Sequence, residues 1–220
     1  MITLGGGYMR FLSKEICFNT FFKKGLPKID DSYGCYFVSG KQGSGKSYFA
    51  VFFLLRQYNP NIKHRIKVKT NIKSLNLDKS KYDVEYFTDI RVLYNDTEEY
   101  VIYIIDEISR KYDKNSKTDT QFYAWLNQSR KRHRIVFMIT QEWKELPMWI
   151  RRPAKFCFYT KPTPILYLFG IFTTFVGDAE NMYLDKETME WECPIIKKYY
   201  YKRNLYIANM YDTFEAINEL

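Results

Sequence analysis

The chain has 220 residues and a formal net charge of +9, with 46% hydrophobic and 27% charged residues. This balance excludes an intrinsically disordered chain and predicts one globular domain, or one domain with a small appendage. The positive charge favours a polyanionic partner, nucleic acid or an anionic membrane surface, although a generally lysine-rich composition would give the same excess.

The cysteine pattern and the hydropathy argue against a zinc site, a secretory signal and a membrane-spanning helix. The four cysteines are Cys17, Cys35, Cys157 and Cys193, and they form no C-x-x-C pair. We therefore expect no zinc site, and reduced, buried thiols in a cytosolic compartment. The N-terminus lacks the charged start and apolar core of a secretory signal. The most apolar window, Pro164 to Val176, is shorter than the roughly 20 residues of a spanning helix. It predicts a buried strand pair around Gly170 or a surface-docking hairpin.

Residues 1–32 are predicted to form an N-terminal extension. Its mixed apolar and basic run from Met1 to Lys24 fits an amphipathic helix or, preferably, a segment that packs on the outside of the domain. A polar turn from Pro27 to Ser32 then leads into the first strand.

A β-prone run from Cys35 to Ser39 precedes a glycine-rich loop, and a long apolar run from Tyr48 to Leu55 follows it. The loop fits G-x-x-x-x-G-K-[ST], the phosphate-binding pattern, in the strand–loop–helix context that it needs. We call these residues the phosphate loop: Gly40, Lys41, Gln42, Gly43, Ser44, Gly45, Lys46 and Ser47. Backbone N–H groups and the helix N-terminus would bind the phosphates of ATP. Lys46 should reach the β- and γ-phosphates, and Ser47 should ligate Mg²⁺.

Less distinctive elements follow. Asn59-Pro60-Asn61 is expected to end the helix. Arg65 to Asn71 alternates apolar and basic residues, which predicts a half-exposed strand. Lys73 to Asp83 is polar and loop-like, and Asp89 to Tyr94 is predicted to form a short helix.

The β-branched and aromatic run from Tyr100 to Ile105 predicts a strand that is buried on both faces and ends in Asp106-Glu107. Ligands bind at the carboxyl ends of strands in such sheets, so Asp106 is predicted to hold Mg²⁺ directly or through water. Glu107 suits the general base that activates an attacking water.

A charged segment from Arg110 to Asp119, predicted to be a mobile loop, precedes a helix that Thr118 or Asp119 would cap. The apolar face of this helix carries Phe122, Trp125, Leu126 and Ser129. A buried strand from Arg134 to Ile139 then ends in Thr140-Gln141. If it lies between the phosphate-loop strand and the Asp106 strand, Gln141 faces the γ-phosphate and orients water; otherwise it is an ordinary polar strand end.

The densest basic cluster runs from Arg130 to Arg134. It fits cations at a helix C-terminus, contacts to DNA phosphates, or an arginine that reaches a neighbouring subunit's nucleotide. Arg130 and Arg132 are therefore candidate catalytic residues, with Arg151 and Arg152 as a second pair.

Strands that alternate with helices predict an α/β fold, a P-loop NTPase with a mostly parallel central sheet flanked by helices. Lys155 to Thr160 is a further strand, and short strands and turns follow. We therefore predict an ATPase core at residues 33–160 and a small, β-rich C-terminal subdomain at residues 161–220. The run Lys197 to Arg203 mixes cations with rings, which fits base stacking or a solvated edge strand.

Together these motifs resemble the FtsK–HerA superfamily of DNA-pumping ATPases, most closely its zonula-occludens-toxin-like branch of filamentous-phage assembly proteins and small viral packaging ATPases. The resemblance spans roughly Tyr36 to Tyr159. It rests on the order of the phosphate loop, Thr70-Asn71-Ile72, Asp106-Glu107, Arg132-His133-Arg134 and Ile139-Thr140-Gln141. Tyr211-Asp212-Thr213 is also similar to that branch.

The resemblance implies a ring of identical subunits with ATP and Mg²⁺ at the interfaces, in which hydrolysis moves DNA. It also implies a capsid vertex or a membrane-embedded assembly protein as a partner. Filamentous-phage members usually carry a spanning helix, for which Pro164 to Val176 is too short. We therefore expect a viral genome-packaging ATPase, in the host cytoplasm or the virion, with possible peripheral membrane association. The alternative is a membrane-associated ATPase for phage assembly and export.

Two further classes are less favoured. A small-molecule kinase needs an acceptor pocket and an arginine-bearing lid, whereas Asp106-Glu107 points to water as the acceptor. A non-enzymatic nucleotide switch is disfavoured because Lys46, Ser47, Asp106 and Glu107 are all present.

Overall fold

The computed structural model describes residues 33–57, 65–161 and 170–211. The predicted N-terminal extension, the Asn59-Pro60-Asn61 helix end, the first part of the apolar window and the Asp212-Thr213 pair lie outside the described residues. The predictions for these segments therefore stay predictions.

One eight-stranded sheet organises the described chain, in the order β10-β7-β6-β1-β5-β4-β2-β3. Its strands are β1 Gly34–Ser39, β2 Ile66–Thr70, β3 Tyr82–Tyr86, β4 Val101–Ile105, β5 Ile135–Thr140, β6 Ala154–Lys161, β7 Ile171–Asp178 and β10 Ile195–Lys202. A separate hairpin consists of β8 Tyr183–Asp185 and β9 Glu190–Glu192.

The strands from β6 to β3 in this order are parallel, and β7 and β10 add to the β6 end in antiparallel orientation. The predicted α/β class with a mostly parallel sheet is confirmed. Two strands beyond residue 161 belong to this same sheet, so the C-terminal region continues the core sheet and adds a small β8–β9 hairpin.

The strand β3 contradicts the prediction of a loop that extends to Asp83. It pairs with β2 at one edge of the sheet, where Tyr82 is buried while Asp83 and Glu85 are exposed. An edge strand that packs on one face needs few apolar residues, so its sequence shows no continuous apolar run.

Few helices flank the sheet: α1 Lys46–Gln57, α2 Thr120–Gln128, α3 Met148–Arg151 and α4 Leu205–Ala208, with short 3-10 turns at Ile90–Leu93, Ile108–Arg110 and Trp143–Glu145. Asp119 caps α2, as predicted, because its Oδ1 accepts a hydrogen bond from the Phe122 N–H at 3.1 Å. Its Oδ2 accepts one from the Tyr112 hydroxyl at 2.7 Å, which ties the preceding charged segment to the cap. No helix in the described ranges has the length and apolar character needed to cross a bilayer.

Both faces of the sheet are covered by aromatic cores. Helix α1 packs on one face, whose buried rings are Tyr36, Phe53, Phe137, Phe158 and Tyr201. Helix α2 packs on the other face, where the buried rings are Phe37, Tyr103, Phe122, Trp125 and Trp143. The three described cysteines, Cys35, Cys157 and Cys193, are buried free thiols, as expected.

Arg134, the last residue of the basic cluster, is part of this core and does not contact solvent. Its Nε and Nη2 donate to the carbonyl oxygens of Glu98 and Asp96 at 2.7 and 2.6 Å. Its guanidinium lies 5.6 Å from the centre of the Tyr103 ring and 5.3 Å from that of Trp125. A side chain enclosed in this way holds the segment before β4 and cannot bind a phosphate.

We predict that Arg134→Ala lowers the free energy of unfolding by about 3 kcal/mol, because two buried carbonyls lose their donor and a cavity opens between two rings. Denaturant unfolding measures this, with Arg130→Ala, an exposed neighbour, as the matched control. A loss no larger than that of the control would contradict the structural role.

Candidate functional site

The predicted site elements meet at the carboxyl edge of the parallel strands. The phosphate loop follows β1, Asp106 follows β4, and Gln141 follows β5, which lies between those two strands. The strand that precedes Gln141 therefore has the position on which the prediction for this residue depends. Its carbonyl oxygen accepts a hydrogen bond from the Gly40 N–H at 3.1 Å, and its side chain is exposed beside the loop.

The phosphate loop is enclosed by the neighbouring strands β6 and β7. A Cβ atom on Gly40 would lie 2.4 Å from the carbonyl oxygen of Thr160, and one on Gly45 would lie 2.9 Å from the Phe172 ring. Gly45 also has a φ of +88°, which favours glycine. The Ser44 and Thr160 hydroxyls are 2.7 Å apart and hydrogen-bonded. Glycine is thus required by sterics as well as by backbone conformation.

Helix α1 begins with the two residues that the motif assigns to phosphate and metal. The Ser47 hydroxyl donates to Oδ2 of Asp106 at 3.3 Å, which brings the two predicted Mg²⁺ ligands together. The Lys46 ammonium donates to the Lys41 carbonyl at 3.1 Å. Burial lowers the pKa of Lys46, while the charges of Asp106 and Glu107 act in the opposite direction.

These groups fit a magnesium nucleotide. A hydroxyl and one carboxylate, completed by substrate phosphates and water, form the oxygen ligand set that Mg²⁺ usually has in phosphoryl-transfer sites. The loop has no room for side chains at Gly40 and Gly45, and the backbone N–H groups of such glycine-rich loops are common ligands of phosphate.

Asn71, directly after β2, holds Asp106 in place through its main chain. The Asn71 amide donates to the Asp106 carbonyl at 2.9 Å, and its Oδ1 accepts from the Asp106 N–H at 2.7 Å. In the sequence, Asn71 is the end of the predicted Arg65–Asn71 strand and part of Thr70-Asn71-Ile72, and no role in the site was predicted for it. A polar residue at a strand end was visible, but the pairing of β2 with β4 that brings Asn71 to Asp106 is known only from the structure.

Burial raises the pKa of Asp106 from its ordinary value of 3.8 to about 6, and the nearby Glu107 charge contributes in the same direction. The Glu107 N–H, which donates to Asp106 Oδ1 at 2.9 Å, opposes this shift, as does Lys46. A carboxylate held in this way is costly when ionised, and a bound cation would stabilise it.

Glu107 lies next to the metal pair, with a left-handed backbone of φ 52°. Its carboxylate forms an ion pair with Arg110, one 3-10 turn further along the chain. This pairing was not predicted from the sequence, although a cation three residues after Glu107 was visible. The ion pair engages Oε2, so the other carboxylate oxygen, Oε1, is the one that would accept a proton from water.

The candidate arginines Arg130 and Arg132 lie at the amino edge of the sheet, before β5, while the phosphate loop lies at its carboxyl edge. The Arg132 Nη1 donates to the Thr97 carbonyl at 2.7 Å. Neither residue therefore joins the site of its own chain, and their catalytic role stays a prediction that requires a second subunit.

The two arginines of the second candidate pair, Arg151 and Arg152, differ in solvent exposure. Arg151 is 5% exposed, and its guanidinium lies 5.2 Å from the centre of the Trp143 ring. It is therefore a core residue, and the expectation that it reaches another subunit is wrong. Arg152 is exposed and stays a candidate.

Comparison with known proteins agrees with this geometry. The family model described as Zonular occludens toxin (Zot) matches residues 34–175. Among solved structures, the N-terminal domain of zonular occludens toxin from Neisseria meningitidis superposes with a TM-score of 0.60 at 20% identity, covering 81% of this chain and 98% of that chain. The genome-packaging NTPase B204 of Sulfolobus turreted icosahedral virus 2, solved with ATP-gammaS, gives a TM-score of 0.47 at 14% identity, covering 76% and 100%. A comparison with the curated proteins finds no match.

At these identities the structural likeness shows the fold alone. The resemblance to the zonula-occludens-toxin-like branch, inferred from the order of the motifs, is confirmed by the family match. The P-loop NTPase fold is confirmed as well.

We predict that Gly40→Ala abolishes or weakens nucleotide binding by at least about tenfold, because the new methyl group displaces Thr160 and opens the loop. Gly43→Ala is the matched control: its Cβ would meet nothing within 4 Å, although its φ of +74° imposes modest strain. Calorimetric titration with ATP-gammaS compares the two. Equal affinities would show that the contact with Thr160 does not shape the loop.

We also predict that Asp106→Asn stabilises the nucleotide-free protein by about 1–3 kcal/mol at pH 7.5, since a pKa shift of one unit corresponds to about 1.4 kcal/mol. The raised pKa means that the carboxylate destabilises the fold above pH 6 and costs nothing below pH 4, where both folded and unfolded states are protonated. The stabilisation by Asp106→Asn should therefore disappear as the pH falls from 6 to 4.

Denaturant unfolding from pH 4 to pH 8 measures the effect, with the exposed Glu99→Gln as control. A variant that is less stable than the native protein at pH 7.5 would show that the Asp106 carboxylate is well accommodated by its hydrogen bonds.

Proposed function

Because the chain belongs to the zonular occludens toxin family, we propose that it is an ATP-hydrolysing DNA translocase, and specifically a viral genome-packaging ATPase. The observation that carries the proposal is the contact between Ser47 and Asp106, 3.3 Å apart, with Glu107 beside them at the mouth of the phosphate loop. This arrangement supports hydrolysis, because metal ligands and a candidate base for water converge on one point.

Each residue of the site has its own role in the proposed hydrolysis of ATP. Backbone N–H groups of the phosphate loop and the Lys46 ammonium bind the β- and γ-phosphates. Mg²⁺, held by Ser47 and Asp106, would neutralise the charge on the phosphate oxygens. Gln141 orients a water whose proton passes to Glu107 while its oxygen bonds to the γ-phosphorus. The bond between that phosphorus and the bridging oxygen breaks, and ADP leaves.

We propose a homo-oligomer, expected from the resemblance to be a ring, and the position of the arginines supports this proposal. The basic cluster and the phosphate loop occupy opposite edges of one subunit, so Arg130 or Arg132 can act on a nucleotide only from a neighbouring copy. An arginine supplied in this way stabilises the charge of the transition state. A capsid vertex is the further partner of a packaging motor.

The family match equally favours a membrane-associated ATPase for filamentous phage assembly and export. In that case the partner is a membrane-embedded assembly protein, and the protein fractionates with membranes in a manner that depends on residues 164–176. For the packaging ATPase we propose the host cytoplasm or the virion.

We predict that the native protein hydrolyses ATP, that DNA stimulates hydrolysis, and that Glu107→Gln lowers the rate by about 10²–10⁴-fold while ATP binding persists. Phosphate release measures turnover, and filter binding of ATP measures retention. The exposed Glu145→Gln is the matched control and should behave as native protein.

Hydrolysis that is indifferent to DNA in a protein of known oligomeric state would remove the translocase from consideration. Transfer of the γ-phosphate to a nucleotide or small alcohol would instead support a kinase.

A further inference from the structure

The sheet face of β6, β7 and β10 that points away from α1, which we call the outer face, has a regular side-chain pattern. The strand register places Tyr159, Phe175 and Lys198 in one row across the three strands. The adjacent row contains Lys161, Thr173 and Tyr200. The two rows therefore place three rings and two ammonium groups next to one another on one face of the sheet.

The outer face is open to solvent at its cations and at one ring. Lys161, Lys198 and Tyr200 are exposed, and Phe175 is half-buried between them. The Lys198 ammonium lies 5.0 Å from the Phe175 ring centre and 4.9 Å from that of Tyr200. Within the described part of the chain, neither Lys161 nor Lys198 has a carboxylate in ion-pair contact.

The opposite face of the same strands is built differently. Tyr201 and Phe172 are buried there against α1, and the Lys197 ammonium lies over the Tyr199 ring. Lysines on an edge strand often serve to block pairing with other chains. Lys161 lies on β6, an interior strand, so edge protection does not explain its position.

We propose that the outer face binds a single strand of nucleic acid, with Lys161 and Lys198 on its phosphates and Tyr200 and Phe175 against its bases. Cations combined with exposed rings on a sheet bind unpaired strands, because stacking needs bases that are not enclosed in a duplex. The inference rests on the proposed function, since it identifies where a translocase would hold its DNA.

The outer face is joined directly to the nucleotide site. Thr160, which confines Gly40 and bonds to Ser44, precedes Lys161 on β6. Phe172, whose ring lies against Gly45, precedes Thr173 on β7. Lys161, which is exposed, is therefore one residue away from a contact that shapes the phosphate loop, and the buried Thr173 lies beside the second such contact. Nucleotide and nucleic acid should consequently change each other's affinity by the same factor.

The test is fluorescence anisotropy with a labelled oligothymidylate of roughly 20 nucleotides, longer than one sheet-sized site. Lys161→Glu combined with Lys198→Glu should weaken binding at least tenfold and lower the slope of log affinity against log salt by about 1.4, the value for two phosphate contacts on a single strand. The matched control is Lys197→Glu combined with Lys79→Glu, which has the same change in net charge and should weaken binding less than about threefold. Equal weakening by the two variants would overturn the proposal.

Two further measurements address stacking and strandedness. Tyr200→Ala should weaken binding several-fold with an unchanged salt slope, whereas Tyr183→Ala on the β8–β9 hairpin should not. The native protein should bind the single strand more tightly than a duplex of equal length. Preference for the duplex, or no effect of Tyr200→Ala, would also overturn the proposal. Circular dichroism establishes that each variant is folded.

Binding is measured without nucleotide, so its outcome is separate from that of the hydrolysis assay. If DNA stimulates hydrolysis but the outer-face variants bind normally, the surface is wrong and the translocase stands. If the native protein binds oligothymidylate through the outer face but does not hydrolyse ATP, the surface stands and the motor function fails.

Discussion

The steric enclosure of the phosphate loop is the constraint on which the rest of the structure depends. Gly40 and Gly45 have no room for a side chain, because Thr160 of β6 and Phe172 of β7 occupy the space that a Cβ would need. The loop is therefore shaped from outside its own strand–loop–helix unit. The antiparallel strand β7, which lies beyond the parallel part of the sheet, consequently contributes a side chain that confines the phosphate loop.

At the predicted metal ligands of the site, the burial that positions Asp106 also destabilises its ionised form. Asn71 satisfies both main-chain polar groups of Asp106, and the Ser47 hydroxyl and the Glu107 N–H bond to its carboxylate, yet its pKa stays raised to about 6. Rigid positioning thus coexists with an ionised group that burial disfavours. Sites that bind cations often keep this imbalance, because the ion itself offsets the cost when it arrives.

Local patterns were sufficient for much of the fold and of the site. The phosphate loop and the strand before Asp106 follow from short sequences whose chemistry is self-contained, whereas the position of β5 between β1 and β4 is known only from the sheet order. Residues whose role depends on distant packing were not predictable. Arg134 looks like the end of a basic run, and only the rings of Tyr103 and Trp125 show that it is a core residue. The edge strand β3 was missed for the same reason, whereas the Arg110–Glu107 ion pair is local and its spacing was visible in the sequence.

Two basic surfaces remain, and their positions give them different roles. The exposed cations Arg130 and Lys131 lie one strand length from the nucleotide site, roughly 20 Å for the six residues of β5. The outer face instead adjoins the contacts that Thr160 and Phe172 make with the phosphate loop. We therefore propose the outer face, and not the amino-edge cations, as the surface that couples nucleotide to a bound strand within one subunit. The amino-edge cations can take part only across an interface between copies.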